Sequence, residues 1–107
     1  MKKYDLTSSK GLQNAMKYIG DNVFTINPAL GLAKYVVDKF SDLSKSWESQ
    51  RDTALELIRK GKEQGVDEME ITMSNKRGFR LNAPVDGVNI DTMIGADEKM
   101  HVKVKYK

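Results

Sequence analysis

At Gly65 the spacing of apolar residues changes, and any fold of this chain must accommodate that change. Before it, apolar side chains recur every three or four positions, the period of a helix. After it they alternate, the period of a half-buried strand. Helices followed by strands predict an α+β chain. The expected architecture is two or three N-terminal helices packed on one face of a C-terminal three- to four-stranded antiparallel meander. The 107 residues suit a single domain, 1–107, divided into a flexible tail (1–7), a helical part (8–65) and an antiparallel β part (66–107). Hydrophobic residues make up 39% and charged residues 31%, too apolar a mixture for a disordered chain.

Ser8 or Ser9 can cap a first helix reaching about Ile19, with Leu12, Ala15, Met16 and Ile19 at helical spacing. Gly11 weakens its start. Val23-Phe24-Thr25-Ile26 reads as an apolar link, either an inward-packed loop or a brief strand. Asn27-Pro28 is the clearest helix start. Asparagine accepts the first free N–H groups, and proline at the first helical position loses no needed donor. Leu32, Ala33, Val36, Val37, Phe40 and Leu43 form the stripe that follows. Trp47, Ala54, Leu55 and Ile58 form the next, with Leu57 at its margin. Ser41, Ser44 or Ser46 can cap a new helix there, or one helix can run from Pro28 to Gln64. A three-four count through Leu30, Ala33, Val37, Phe40, Ser44, Trp47, Arg51, Ala54 and Ile58 suits a coiled-coil seam that Ser44 and Arg51 spoil. Gly61 or Gly65 ends the helix.

Met69, Ile71 and Met73 alternate with Glu70, Thr72 and Ser74. Asn75-Lys76-Arg77-Gly78 is a turn, and Phe79, Leu81 and Ala83 alternate again, so 69–83 is the best hairpin in the chain. Asp86-Gly87 turns, Val88 and Ile90 start a third strand, and Gly95-Ala96-Asp97-Glu98 turns again. In the last strand Met100, Val102, Val104 and Tyr106 face one way. His101, Lys103, Lys105 and Lys107 face the other.

The chemistry-bearing residues are few. With no cysteine, the chain lacks a thiolate nucleophile, a disulfide framework and a cysteine zinc site. His101 is the lone histidine, and no partner for acid–base work is identifiable. Glu48, Asp52 and Glu56 line one helix face four apart, but Arg51, Arg59 and Lys60 beside them suit a solvated, charge-laced face. Met16, Met69, Met73, Met93 and Met100 read as core filler. No phosphate loop, nucleophile elbow or calcium loop is present. No catalytic residue, metal or cofactor is therefore expected, and the chain reads as a non-enzyme.

Lys2, Lys3, Lys10 and Lys17 against Asp5 account for the whole net charge of +3. Elsewhere acids and bases balance. Lys76, Arg77 and Arg80 at the hairpin tip, with Lys103 and Lys105 of the last strand, form a candidate nucleic-acid face if the two lie together. Edge protection by lysine, with a solvated sheet face, is the stronger account of the strand's alternation. Leu30, Val37, Phe40 and Trp47 are candidate protein-interface residues, on a helix long enough to overhang the sheet if unbroken. The same stripe can simply cover the sheet. A membrane-surface helix from Leu30 to Trp47 would present Lys34, Lys39 and Lys45, but Asp38 and Asp42 cancel them, so no membrane partner is expected. No apolar stretch follows the basic start, and Val23–Val37 is too short to span a bilayer, so a cytoplasmic protein is expected. The functional expectation is a small accessory or regulatory interaction module that binds another protein or itself, with nucleic-acid binding as the alternative.

Overall fold

The computed structural model of the chain describes residues 2–25, 27–43 and 45–107. The elements are β1 (Lys3–Asp5), α1 (Ser9–Asp21), α2 (Pro28–Leu43), α3 (Trp47–Gln64), β2 (Glu68–Ser74), β3 (Val88–Ile94) and β4 (Lys99–Tyr106). This is an α+β chain with a four-stranded sheet in the order β1-β2-β4-β3. The sheet is mixed. β1 runs parallel to β2, and β4 runs antiparallel to both β2 and β3.

Local chemistry sets the helix ends. The Asn27 side chain accepts from the Ala29 N–H at 3.0 Å, and Pro28 opens α2. Ser46 decides the question of continuity. Its hydroxyl accepts from the Ser49 N–H at 3.1 Å and starts α3 as a separate helix. Gly65 ends α3 at φ 75°, a left-handed position suited to glycine, and its N–H returns to the carbonyls of Gly61 and Lys62. α2 and α3 are separate helices, so among the described residues no single helix runs from Pro28 to Gln64. α2 packs on both α1 and α3 instead. Ile26 of the apolar link and Ser44 of the candidate caps lie outside the described residues.

The core lies between α2 and α3 on one side and the sheet on the other. Leu32, Ala33 and Val36 meet Ala54, Leu57 and Ile58, and both sets close over Met69, Ile71, Met73, Met100, Val102 and Val104. Each larger side chain so buried is worth about 1.5–3 kcal/mol. Leu57, placed at the margin of its stripe by spacing, is fully buried, while Leu55 is half-buried. Of the methionines, Met69, Met73 and Met100 fill the core, but Met16 and Met93 are exposed. Val23 and Phe24 do not pack inward, being 60% and 99% exposed.

Three expectations are corrected. Residues 3–5 are no tail. β1 adds to the sheet beside β2, with Tyr4 at 1% and Leu6 at 2% exposure, and the Leu6 N–H donates to the Thr72 carbonyl at 2.9 Å. Residues 79–83 form no strand, because β1 and β4 already occupy both sides of β2. Phe79 and Leu81 serve helix–sheet packing instead, while Ala83 is exposed. Phe79 meets Trp47 edge-on with ring centroids 4.3 Å apart, and Leu81 is buried. The sheet is therefore not an antiparallel meander. Its hairpin joins β3 to β4 through Gly95–Glu98, and the segment from Asn75 to Gly87 carries the chain past β4.

Candidate functional site

The register decides what the outer face of the sheet can do. Lys3 lies opposite Glu70, Glu70 opposite Lys103, and Lys103 opposite Asp91. One row across the sheet thus alternates in sign. Lys105 lies opposite Glu68. Opposed charges on neighbouring strands favour each other and weaken the field felt by an incoming polyanion. β4 is also an inner strand, so its lysines protect no edge.

The five candidate phosphate-binding residues do not form one surface. Lys103 and Lys105 point from the outer face, next to Lys2, Lys3, Glu68 and Glu70. Lys76 sits on the helix side, its Nζ 4.7 Å from the Trp47 ring centroid and 3.8 Å from Glu48 Oε1. Arg77 and Arg80 lie in the segment after β2, against β3.

The candidate interface residues are largely used within the chain. Trp47 donates from Nε1 to the Ser74 carbonyl at 3.0 Å. Val37 and Phe40 pack against the core, and Leu30 is half-buried. The carboxylate row is laced with cations. Asp52 pairs with Arg51 at 3.1 Å and Glu56 with Arg59 at 2.9 Å, the latter three residues on rather than four. Among the described residues no group of acids and histidine is placed to hold a metal.

His101 gains the partners its sequence position did not reveal. Its Nε2 lies 3.0 Å from Asp97 Oδ1, its Nδ1 lies 3.2 Å from Thr72 Oγ1, and Glu70 Oε1 is 3.7 Å away. The hydrogen bond from His101, with a second from the Lys99 N–H, holds the Asp97 carboxyl below the usual carboxylate range. An aspartate–histidine–hydroxyl chain has the order of a nucleophile relay. It stands on the outer sheet face as a link between β2, β4 and the hairpin turn.

The longer of the sheet's two edge strands is β3. Among the described residues this strand pairs with β4 alone, through seven register positions, and no strand pairs with its other side. The Gly95 N–H donates to the Lys99 carbonyl, and the Lys107 N–H to the Gly87 carbonyl. Those bonds put the odd-numbered residues of β3 in hydrogen-bonded pairs with β4. The backbone groups of Val88, Ile90, Thr92 and Ile94 therefore point outward. On the core side Val88 and Ile90 are half-buried, but beyond them the helices no longer cover the strand. Ile94 is 56% exposed, and Met93 on the outer face 49%.

A groove of about 810 Å³ runs beside this uncovered end. Phe79, Leu81, Ile90 and Met100 contribute apolar lining, and Arg77 and Arg80 supply charge. Neither arginine has a carboxylate partner among the described residues. Sequence spacing could not reveal this site, since Thr92 and Ile94 alternate like any paired strand. The weak signal was the absence of lysine from 88–94.

Among the described residues no helix is long and apolar enough to cross a membrane. Comparison with family models, with curated proteins and with solved structures finds no match to this chain.

Proposed function

We propose that this chain is a non-enzymatic interaction module whose working surface is the open edge of β3. The observation that carries the proposal is a seven-residue strand, paired on one side only, whose last two side chains are about half exposed. Open strands are templates for another strand, and proteins that do not use them usually blunt them with lysine, proline or a bulge. β3 contains none of the first two. A partner strand would find backbone groups to pair with and alternate side-chain positions to read.

Nucleic-acid binding has weaker support, because Lys103 of β4 lies opposite Glu70 and Asp91, and Lys105 opposite Glu68. Amide hydrogen exchange on the dilute chain tests the proposal. The Ile90, Thr92 and Ile94 amides should exchange fast while those of Asp91 and Met93 are protected. Strong protection of all five in a monomer shown by light scattering would mean that the edge is already closed, and the proposal would fail.

A further inference from the structure

The groove beside β3 adds charge to the open edge, and charge narrows the choice of occupant. Lys76, Arg77 and Arg80 line it with Asp91 as the one acid, an excess of two positive charges. Lys76 is partly engaged by Glu48 and the Trp47 ring, which leaves the two arginine side chains unpaired among the described residues. A second copy of this chain is a poor occupant. Two-fold pairing of β3 with itself would bring two such cationic rims together, and pairing centred on Asp91 would oppose two carboxylates.

We infer that the occupant is an extended acidic segment of another protein, added to β3 as a fifth strand with its carboxylates on alternate residues facing Arg77 and Arg80. The inference rests on the open-edge reading above and deepens it. Strand pairing fixes which residues face the groove, because alternate side chains share a face. Those opposite Ile90, Thr92 and Ile94 point to the groove side, as these three do through their register with Val104, Val102 and Met100. A glutamate there can lay its methylene stem on Ile90 and Ile94 and present its carboxylate to a guanidinium, whose planar fork matches carboxylate geometry. On the outer face the neighbours are Asn89, Asp91 and Met93. Asp91 disfavours acid at those positions, and Met93 favours an apolar side chain. The partner strand thus reads acid on one side and apolar on the other.

The test is an amide NMR titration of the full chain at low salt. The probes are a capped octapeptide alternating valine and glutamate, its valine–lysine counterpart and a short single-stranded RNA. The glutamate peptide should shift amides of 76–81 and 88–94 and slow exchange at Ile90, Thr92 and Ile94. It should bind about tenfold tighter than the lysine peptide. The double variant R77E/R80E should lose about that factor while keeping its unfolding midpoint, since both side chains are on the surface.

Silence from the glutamate peptide overturns the inference. So does equal binding of the lysine peptide, or affinity that survives the double reversal. Stronger shifts of the same amides by RNA would reassign the groove to nucleic acid. Shifts in β3 that grow with protein concentration alone would give the edge to a second copy; the interaction reading would then stand and the acidic partner fall. Amides of β3 already protected in the dilute monomer would remove both.

Discussion

The sheet has two edges, and they are built differently. β1 is three residues long and buries Tyr4, with Leu6 buried just beyond it. Lys2 precedes it and Lys3 opens it, and Lys2 pairs with Glu68 at 3.3 Å. Its end is tied to α1. Asp5 accepts from the Thr7 N–H at 2.8 Å, the Thr7 hydroxyl at 2.6 Å and the Ser8 hydroxyl at 2.9 Å. β3 is more than twice as long, carries no lysine, and leaves its far end uncovered. Shortness, lysine and a docked helix are means of closing an edge. Here they fall on β1 alone. An edge closed for stability and an edge left open for a partner should answer mutation in opposite ways.

The largest expected contrast is in Tyr4. Its truncation, Tyr4→Ala, should cost about 3–5 kcal/mol, because the cavity lies where β1, β2 and the helices meet. Ile94→Ala on the other edge should move stability by no more than about 0.5 kcal/mol. Urea midpoints of the two variants measure the gap directly. Similar losses would show that β3 is as integrated as β1, and the contrast would be broken.

Gly11 gives the next effect. A Cβ there would run into the Asp5 carbonyl and lie 3.0 Å from the Asp5 Cβ, so α1 and β1 touch backbone to backbone. Gly11→Ala should cost about 1–3 kcal/mol by forcing them apart, although alanine is the better helix former. The loss should be accompanied by faster exchange of the Leu6 amide. A gain in stability would mean that helix propensity outweighs the close approach.

Gly11 also marks the limit of what the sequence discloses. As a residue near a helix start it looked like a weakness, whereas its role is set by a strand six residues earlier. β1 itself was hidden because three residues are too few for alternation to register. The starts at Asn27-Pro28 and the regular strand 99–106 were legible because each rests on local chemistry or on a long period. Phe79, Leu81 and Ala83 misled for the opposite reason. Alternation reports which side chains are apolar, and Phe79 and Leu81 reach the core from a segment that pairs with no strand, while Ala83 stays exposed. Strand order was out of reach, since β2 and β4 pair across more than twenty residues. The edge position of β3, and with it the candidate site, follows from that order alone. Arg77 and Arg80 were singled out by charge, but their neighbours depend on where β3 lies.

Asp5 should give a smaller effect, visible in its pH dependence. Burial pushes the carboxyl up, but the hydrogen bonds from Thr7 and Ser8, with the charge of Lys99, outweigh it and hold the group below its ordinary value of 3.8. A carboxyl depressed by folding stabilises fully above its unfolded value, and that contribution fades as pH falls through the folded one. Asp5→Asn should therefore cost about 1–2 kcal/mol near neutral pH, where it removes charge-assisted bonds, and progressively less in acid. Chemical denaturation of both forms between neutral pH and about pH 3 checks the convergence. A difference that stays constant would place the effect in packing rather than in the carboxylate.

Ile94→Lys should be nearly silent in stability, within about 0.5 kcal/mol, because the side chain is more than half exposed. It nevertheless supplies what β3 lacks and β1 has. A lysine at the end of an open strand opposes strand addition by placing a charge where a partner must bury its own side chain. The substitution should leave the amides of β4 and the core in place, so any change in the slowing of exchange that a partner strand causes at Ile90 and Thr92 reports on the edge itself. It also adds positive charge beside Arg77 and Arg80, so an acidic strand has a competing reason to bind more tightly. The uncharged variant Ile94→Asn separates the two, since it removes the apolar contact without adding charge. If binding falls with asparagine and recovers with lysine, charge dominates the groove. If it falls with both, the uncovered end of β3 works as an apolar strand edge.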